Sequence, residues 1–585
     1  MNFFKSFLAS CLGATVALAV VFLLVFSFFT ALISASGDTQ VTVEENSVLH
    51  LKLETPITEL EFEDPLAEII PGASDQSHGL LQIIDAIKHA KDDANIKGIF
   101  LNTSSLQTGF ASLQELREAI VDFKTSGKWV VSYADNYTEG AYYLASVADK
   151  VYLSPEGDVE FNGLAIEVSF FKKLFDKLDI RPEIFRVGDF KSAVEPFMRE
   201  NLSPENKLQL NSILTSIYGE ILKGVSDSRN IPYDKLKEIS DKMLVRNAAQ
   251  AQSLGLIDSL FYDDQIKDLL RGRLGLEKNK KISLITYHKY KKSYPALGNS
   301  KNEIAVIVAE GDILPGKAEQ GVVGSTTIMN EIRRARNDDR VKAIIIRINS
   351  PGGAAQAADN MWREITLASK QKPVIASMSD YAASGGYYLA MGCDTIVARP
   401  TTITGSIGVF SVLFDLSNFL DDKIGITSEE VKTGEVGELV TVTRPLTDLE
   451  KNIWQTRTNE IYETFTRKAA DGRHMQQDDI KKIASGRVWT GSQAKENGLS
   501  DLNEGFKDAV RIAAERSGVG NDFRLRYYPQ PKPLLERLTS DWEDDSKTKA
   551  LKAELGEYYR WYKQWSRIRN YAGTQARMSV EFEVR

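Results

Sequence analysis

Residues 341–353 read VKAIIIRINSPGG, and this stretch decides the fold. The run IIIRI at 344–348 is almost continuously apolar, which is typical of a parallel strand that is covered on both faces. The glycines that follow it, Gly352 and Gly353, expose backbone N–H groups and allow a substrate to approach the chain closely. The stretch therefore predicts a buried parallel strand that ends at a functional edge of a sheet.

The same pattern occurs earlier in the chain, as part of a long internal repeat. IKGI at 96–99 corresponds to VKAI at 341–344, and both are followed at the same interval by YYLA, at 142–145 and 387–390. The copies are 245 positions apart. In each copy apolar strands alternate with helical stretches, which indicates βαβ units. We therefore predict an α/β protein built from two tandem units, each large enough for its own core.

The predicted organisation has four parts, separated by changes in composition. They are a membrane anchor at 1–37, a first unit at 38–295, a second unit at 296–537, and a C-terminal helical tail at 538–585.

Ser384 is the candidate nucleophile. It lies in YAASGGYYLA (381–390), between a predicted strand and a predicted helix, with small neighbours that leave its hydroxyl accessible. The first copy has Glu139 at this position and lacks the glycine pair as well. The alternative is that Ser384 only caps a helix. The glycine pair at the end of the neighbouring strand favours the catalytic interpretation.

Lys191, in GDFKSAVEPF (188–197), is the candidate general base. The second copy has Gly437 at the corresponding position, so one copy keeps a lysine without the serine and the other keeps a serine without the lysine. The alternative is an ordinary exposed lysine. To act as a base near neutral pH, a lysine needs its pKa lowered from about 10.4 to roughly 7–8 by burial. Phe190, Val194 and Phe197 are candidates for the apolar surroundings.

The composition excludes several other classes of function. The net charge of -8 and the absence of a long basic run argue against nucleic-acid binding. Two cysteines do not make a disulfide framework, and the five histidines form no zinc-binding motif. We therefore expect no metal and no other cofactor.

The N-terminus carries an uncharged apolar run, FLASCLGATVALAVVFLLVFSFFTALI, at residues 7–33. This run is long enough to cross a bilayer as a helix. Lys5 precedes it and Asp38 follows it, so we expect the bulk of the chain on the outer side. The alternative is a cleaved signal peptide with a cleavage site at 34–36, but its apolar region would be unusually long.

With these features, the chain resembles the long, duplicated form of signal peptide peptidase A, a family of bacterial membrane-bound serine peptidases. The resemblance covers nearly the whole chain. The motifs that carry it are NSPGG (349–353), YAASGGYYLA (381–390), TGSIGV (404–409), GDFKSAVEPF (188–197) and GRVWTGSQAKENGLSD (486–501).

The resemblance implies a crotonase-like fold related to Clp protease subunits, and a Ser–Lys dyad of Ser384 and Lys191. It also implies an oxyanion hole formed by Gly353 and Gly385, with Gly352 shaping the loop. The expected substrates are cleaved signal peptides. The expected state is a homo-oligomer, with a tetramer suspected, and the expected location is the bacterial inner membrane, with one span and the bulk in the periplasm.

Two other functions are compatible with parts of the sequence. One is a crotonase-fold enzyme acting on acyl-CoA, which would share the glycine-rich loop but ordinarily uses a carboxylate. The other is a non-catalytic membrane scaffold, which would need only the duplication. In addition, the tail has aromatic and basic residues that predict either a membrane-surface helix or a segment packed on protein. These are Trp542, Tyr558, Tyr559, Arg560, Trp561, Tyr562, Lys563, Trp565, Arg567 and Arg569.

The apolar N-terminal run makes a testable prediction about processing. We expect the exported protein to keep residues 1–37 and to fractionate with membranes, because the run is longer than a signal-peptide core. Mass spectrometry of the N-terminal peptide measures this directly. A mature N-terminus near Gly37 would show cleavage and disprove the anchor.

Overall fold

The computed structural model describes residues 12–24, 41–61, 77–295, 300–318, 321–529 and 573–578, together with Phe7, Ser10 and Ser27. Among the described residues, no helix combines the length and apolar character that a bilayer span requires. The predicted anchor lies mostly outside the described residues, and only 12–24 and three single residues of it are placed.

The first copy is organised around a sheet of six parallel strands. In spatial order the strands are Ser259–Leu260, Lys150–Leu153, Trp129–Ala134, Ile96–Leu101, Ser47–Leu51 and Leu284–Thr286. A short parallel pair, Ile57–Thr58 with His78–Gly79, lies apart from this sheet.

The second copy has a seven-stranded sheet of the same kind. Its main path is Val488–Thr490, Ile403–Gly405, Val374–Ala383, Val341–Ser350, Glu303–Glu310 and Arg524–Tyr528, and Thr395–Val397 pairs separately with Val374–Ala383. Val488–Thr490 pairs antiparallel with its neighbour, whereas the other described pairings of this sheet are parallel. Along Val341–Ser350, Ile344 and Ile346 pack into one apolar cluster while Ala343 and Ile345 pack into another. The strand is therefore covered on both faces, as its sequence predicts.

A third sheet combines strands from both copies and from the tail. Its order is Val322–Gly324, Asp312–Leu314, Gly352–Ala354, Gly573–Arg577, Val409–Asp415 and Arg181–Val187. Arg181–Val187 belongs to the first copy and pairs antiparallel with Val409–Asp415 of the second over seven residues. This pairing fixes the position of the chain that follows Val187 relative to the second copy.

Helices surround the sheets in both copies. In the first copy they are Leu80–Asp92, Phe110–Lys124, Glu139–Ala145, Lys172–Leu178, Glu195–Met198, Pro204–Arg229, Tyr233–Asp241, Ala248–Ser253, Asp263–Arg273 and Tyr287–Tyr290, with 3₁₀ turns at Ser192–Val194 and Lys291–Ser293. In the second copy they are Ser325–Asn337, Ala355–Ser369, Gly385–Ala390, Asp448–Arg473, Gln477–Ile483, Gly491–Glu496 and Phe506–Ser517, with a π-helical turn at Phe419–Ile424.

The long helices show that the duplication extends beyond the aligned motifs. Pro204–Arg229 and Asp448–Arg473 both have 26 residues. Ser203 and Thr447 precede them, and each side chain accepts a hydrogen bond from the backbone N–H three residues further on. The prediction of two tandem α/β units is confirmed.

The domain boundaries stay predictions, but one feature of the tail needs correction. We predicted a helical tail at 538–585, whereas its described residues, 573–578, include the strand Gly573–Arg577. It is extended because its backbone groups pair with strands on both sides. The aromatic and basic residues between 542 and 569 lie outside the described residues.

A buried ionic cluster joins the two copies. Arg347 lies on the central strand of the second copy, and its Nε donates to Glu59 Oε2 at 2.7 Å. Its Nη2 donates to Glu115 Oε2 at 2.8 Å, and both carboxylates belong to the first copy. All three side chains are buried. Because the charges are enclosed, each depends on its partners for stabilisation.

We expect Arg347→Ala to lower the free energy of unfolding by roughly 3–5 kcal/mol, because it leaves two buried carboxylates without their cation. Denaturant titration of the purified protein measures the change. Arg340→Ala is the matched control, since Arg340 forms an exposed pair with Asp338 at 2.8 Å and should change stability little. Equal stability of the two variants would contradict a structural role for the cluster.

Candidate active site

Ser384 stands at a sharp turn between a strand and a helix. The strand Val374–Ala383 ends directly before it and the helix Gly385–Ala390 begins directly after it. Its φ is +54°, in the left-handed region that residues with a side chain seldom adopt. The backbone N–H of Ser384 donates to the Gly405 carbonyl at 2.8 Å, which holds the turn in place. The side chain is fully buried.

Lys191 is brought to Ser384 by the third sheet. It follows the strand Arg181–Val187 and directly precedes the 3₁₀ turn Ser192–Val194. Its Nζ lies 2.9 Å from Ser384 Oγ, although the two residues are 193 positions apart. Both belong to the same chain, and the structure therefore brings together the two residues that the sequence predicts to act as a pair.

The surroundings of Lys191 favour the uncharged amine. The side chain is fully buried, and desolvation lowers its pKa well below the usual value for lysine. Of the three apolar residues that the sequence offers as surroundings, Val194 and Phe197 are buried and Phe190 is half-buried. The nearby carboxylate of Glu195 is engaged elsewhere, because its Oε2 accepts hydrogen bonds from Asn206 Nδ2 at 2.9 Å and from the Ser203 backbone N–H at 3.3 Å.

Ser406 is a site residue that the sequence interpretation missed. Lys191 Nζ donates to the Ser406 carbonyl at 2.9 Å and lies 3.0 Å from Ser406 Oγ. A neutral amine has two N–H donors and one lone pair, so two contacts with Ser406 direct the lone pair towards Ser384 Oγ. The motif TGSIGV contains Ser406, but nothing in its spacing shows that it contacts a lysine 215 positions away.

Ser192, the other serine near the base, does not contact the amine. Its Oγ donates to the Phe190 carbonyl at 3.2 Å and accepts from Gln209 Nε2 at 2.7 Å. The Ser192 hydroxyl therefore stabilises the turn that follows Phe190 and not the amine.

Glycines flank Lys191 where a side chain would collide with it. A Cβ built on Gly486, whose φ is +80°, would lie 2.6 Å from Lys191 Cα. A Cβ on Gly408 would lie 3.1 Å from Lys191 Cδ. These contacts explain why the lysine can pack so closely against the second copy.

The glycines of NSPGG lie beside the turn that carries Ser384. Gly352 and Gly353 have φ values of +103° and +154°, which favour glycine. A Cβ on Gly352 would lie 2.8 Å from the Gly385 nitrogen, and a Cβ on Gly385 would lie 3.2 Å from the Gly353 nitrogen. The amides of Gly353 and Gly385 are therefore close together, next to the serine.

The corresponding positions of the two copies have different surroundings. Glu139, which occupies the place of Ser384 in the first copy, is buried at the start of the helix Glu139–Ala145 and accepts a hydrogen bond from the Gly163 backbone N–H at 3.0 Å. Burial raises its pKa to about 7. Gly437, which occupies the place of Lys191, lies in an exposed loop. At these described positions, neither copy has both the serine and the lysine.

Comparison with known proteins identifies the family of this chain. Residues 122–277 and 366–520 each match peptidase family S49. The chain belongs to this family. It is 33% identical over 567 residues to Protease 4 of Haemophilus influenzae, covering 93% of this chain and 92% of that protein.

Two further relatives and one solved structure extend the comparison. Identity is 36% to Protease 4 of Salmonella typhi, over 82% of this chain and 78% of that protein. It is 38% to the chloroplastic serine protease SPPA of Arabidopsis thaliana, over 75% of this chain and 66% of that protein. A point mutant of ClpP1 from Listeria monocytogenes matches with 14% identity and a TM-score of 0.24, over 35% of this chain and 94% of that chain.

Family membership confirms that the chain has the long, duplicated form of this peptidase and that it is a serine peptidase, a hydrolase. The alternatives of an acyl-CoA enzyme and of a non-catalytic scaffold are therefore set aside.

The burial of Lys191 makes a prediction about pH dependence. Because desolvation lowers the pKa of Lys191 in the folded protein, the neutral amine forms at lower pH than in a free lysine. We expect kcat/KM to rise with pH as Lys191 loses its proton, with the midpoint well below the usual value of about 10.4. A pH–rate profile on a peptide measures this. A kcat/KM that has already reached its plateau near pH 6 would contradict a lysine base whose pKa lies in the usual range for catalytic lysines.

Proposed function

We propose that this protein is a membrane-anchored endopeptidase with a Ser–Lys dyad, in which Ser384 is the nucleophile and Lys191 the general base. The single observation that carries the proposal is the 2.9 Å distance between Lys191 Nζ and Ser384 Oγ within a buried site. A nucleophilic serine needs an adjacent base, and the buried uncharged amine supplies one.

In the proposed reaction, the Lys191 amine accepts the proton of Ser384 Oγ while the oxygen attacks the carbonyl carbon of the peptide. Ser406 holds the amine so that its lone pair faces the hydroxyl. The backbone N–H groups of Gly353 and Gly385 stabilise the oxyanion, and Gly352 provides the backbone conformation of the loop. Lys191 then protonates the leaving amine, and water hydrolyses the acyl-enzyme by the same route.

We propose cleaved signal peptides as the substrates, at the bacterial inner membrane, with the bulk of the chain in the periplasm. This part is supported by the resemblance to the signal peptide peptidase A family and by the apolar run at 7–33. The proposed assembly is a homo-oligomer, with a tetramer suspected from the family.

Substitution of either dyad residue tests the proposed mechanism. We expect Ser384→Ala and Lys191→Ala each to lower kcat on a peptide substrate by at least about 10³-fold while the fold is retained, because each removes a group that acts in the transition state. Peptide hydrolysis and far-UV circular dichroism of the purified variants are the measurements.

Matched controls are Ser517→Ala and Lys372→Ala. Ser517 Oγ donates to the Ala513 carbonyl at the end of a helix. Lys372 is a partly buried lysine whose pKa is also lowered by desolvation, but its amine donates to the carbonyls of Ala335 and Asp338. Both controls should keep near-normal turnover, and near-normal turnover in Lys191→Ala would disprove the dyad.

The position of Ser384 and Lys191 in one chain gives a separate prediction. We expect co-expression of Ser384→Ala chains with Lys191→Ala chains to recover no activity, because each chain builds its own pair. The hydrolysis rate of the mixed, co-purified protein is the measurement. Activity well above that of either variant would show that the pair forms between chains. Hydrolysis by residues 296–585 alone would be a separate result, and it would refute a site shared by the two copies.

A further inference from the structure

Arg487 is a half-buried cation whose charge meets aromatic rings in place of a carboxylate. Desolvation lowers the pKa of its guanidinium, and no carboxylate of the described residues offsets this effect. The guanidinium carbon lies 4.1 Å from the centroid of the Trp489 ring and 5.1 Å from the centroid of the Phe190 ring. Such cation–π contacts stabilise a cation that is partly withdrawn from water. Because Phe190 belongs to the first copy and Trp489 to the second, the guanidinium joins the two copies.

The Phe190 side of this contact leads to the proposed base. Phe190 directly precedes Lys191, in the short irregular segment between the strand Arg181–Val187 and the turn Ser192–Val194. This segment lies in no helix or strand, so its position depends on the contacts that it makes with the second copy. The Phe190 backbone N–H donates to the Ser485 carbonyl at 3.1 Å. The guanidinium of Arg487 holds the Phe190 ring from the same side of the second copy.

The Trp489 side leads to the proposed nucleophile. The Trp489 ring is fixed by its Nε1, which donates to the Ile483 carbonyl at 2.9 Å. A Cβ built on Gly405 would lie 2.8 Å from Trp489 Cδ1, so the ring packs directly on the backbone of Gly405. The Gly405 carbonyl accepts the hydrogen bond from the Ser384 N–H that holds the nucleophile's turn. Trp489 therefore supports the turn that presents Ser384.

The backbone of Arg487 contacts the site by a separate route. Its carbonyl accepts a hydrogen bond from the Ser406 N–H at 2.7 Å. Ser406 in turn makes the two contacts that orient the Lys191 amine. A substitution of the Arg487 side chain leaves this backbone bond possible, so the effect of the guanidinium can be measured by itself.

The first copy lacks this arrangement. AQSLGLID at 251–258 corresponds to AKENGLSD at 494–501, and in this register Leu244 and Arg246 occupy the places of Arg487 and Trp489. The register is supported by Asn247 and Thr490, which it aligns and which both cap a helix with their side chains. At these positions the arginine and the tryptophan thus occur in the copy that contains Ser384. A role in the fold of each unit would call for them in both copies.

The geometry points to Arg487 as a positioning residue: we propose that its contact with Phe190 holds residues 188–191 against the second copy and so keeps the Lys191 amine enclosed and within reach of Ser384. The proposal rests on the proposed function of Ser384 and Lys191. Arg487 acts through Phe190, and the proton transfer itself stays between the amine and the serine hydroxyl.

The charged groups next to Lys191 leave desolvation as the cause of its lowered pKa. Asp189 is exposed, and the Glu195 carboxylate accepts hydrogen bonds from Asn206 and Ser203. If the Phe190 ring moves away, water reaches the amine and the pKa of Lys191 rises towards its ordinary value. Because the base acts as the neutral amine, the midpoint of the pH–rate profile then moves to higher pH.

Arg487→Ala in the full chain tests the proposal, with kcat and KM on a synthetic peptide measured across pH. We expect kcat at pH 7 to fall about 10²-fold with KM nearly unchanged, because a small misplacement of a catalytic group costs that much. We also expect the midpoint of kcat/KM to move to higher pH, so that the loss is smaller in alkaline solution. Far-UV circular dichroism checks that the variant is folded.

Two further variants show whether Arg487 acts through Phe190. Arg487→Lys keeps the charge but loses the planar group, and it should shift the profile in the same direction by less. It also serves if Arg487→Ala does not fold. Arg487→Ala combined with Phe190→Leu should lose much less than the product of the two single losses, because both changes break one contact.

Arg273→Ala is the matched control. The Arg273 guanidinium carbon lies 5.4 Å from the centroid of the Trp129 ring, a contact of the same kind within the first copy. This variant should keep the wild-type kcat and the wild-type pH midpoint.

The outcomes separate the positioning role from the dyad. Near-normal turnover of the Arg487 variants, a loss that is uniform across pH, or independent losses in the double variant would overturn the positioning role. Lys191→Ala belongs in the same series. If its turnover stays near normal, the dyad itself is contradicted. If wild-type activity depends on Lys191 while the Arg487 variants match the wild type, only the positioning role is overturned.

Discussion

A lysine can act as a base near neutral pH only where its charged form is destabilised, and the candidate site is organised around this constraint. Lys191 is fully buried, and desolvation alone accounts for its lowered pKa. Glu195, which would favour the ammonium if it faced the amine, is bound instead by Ser203 and Asn206. Ser406 contributes neutral contacts only. The arrangement favours the uncharged amine and still orients it.

The third sheet contains strands of both copies, and this arrangement places Lys191 in its buried position. The seven-residue pairing of Arg181–Val187 with Val409–Asp415 places Lys191 of the first copy against Ser384 of the second. Neither copy has the missing residue of the pair at the corresponding position. The first copy now has buried Glu139 in that place, and the second has an exposed loop at Gly437.

The sequence predicts those features of this protein that can be deduced from a local pattern of residues or from a comparison of the two copies. Continuous apolar runs predict the parallel strands, and the reciprocal loss of Ser384 and Lys191 indicates the pair. The contacts with Ser406 and the buried cluster of Arg347 could not be predicted, because they join residues more than 200 positions apart with no periodic signal. The strand at Gly573–Arg577 was missed for the same reason, since its conformation is set by its neighbours in space.

The strand Gly573–Arg577 also bears on the exclusion of water from Lys191. Ser384 and Lys191 are fully buried in the structure that includes Gly573–Arg577, and the Ala576 carbonyl lies against Gly352 and Gly385. Removal of water strengthens the electrostatic interactions inside a site. In the proposed mechanism, exclusion of water by a bound peptide strand would favour the uncharged form of Lys191.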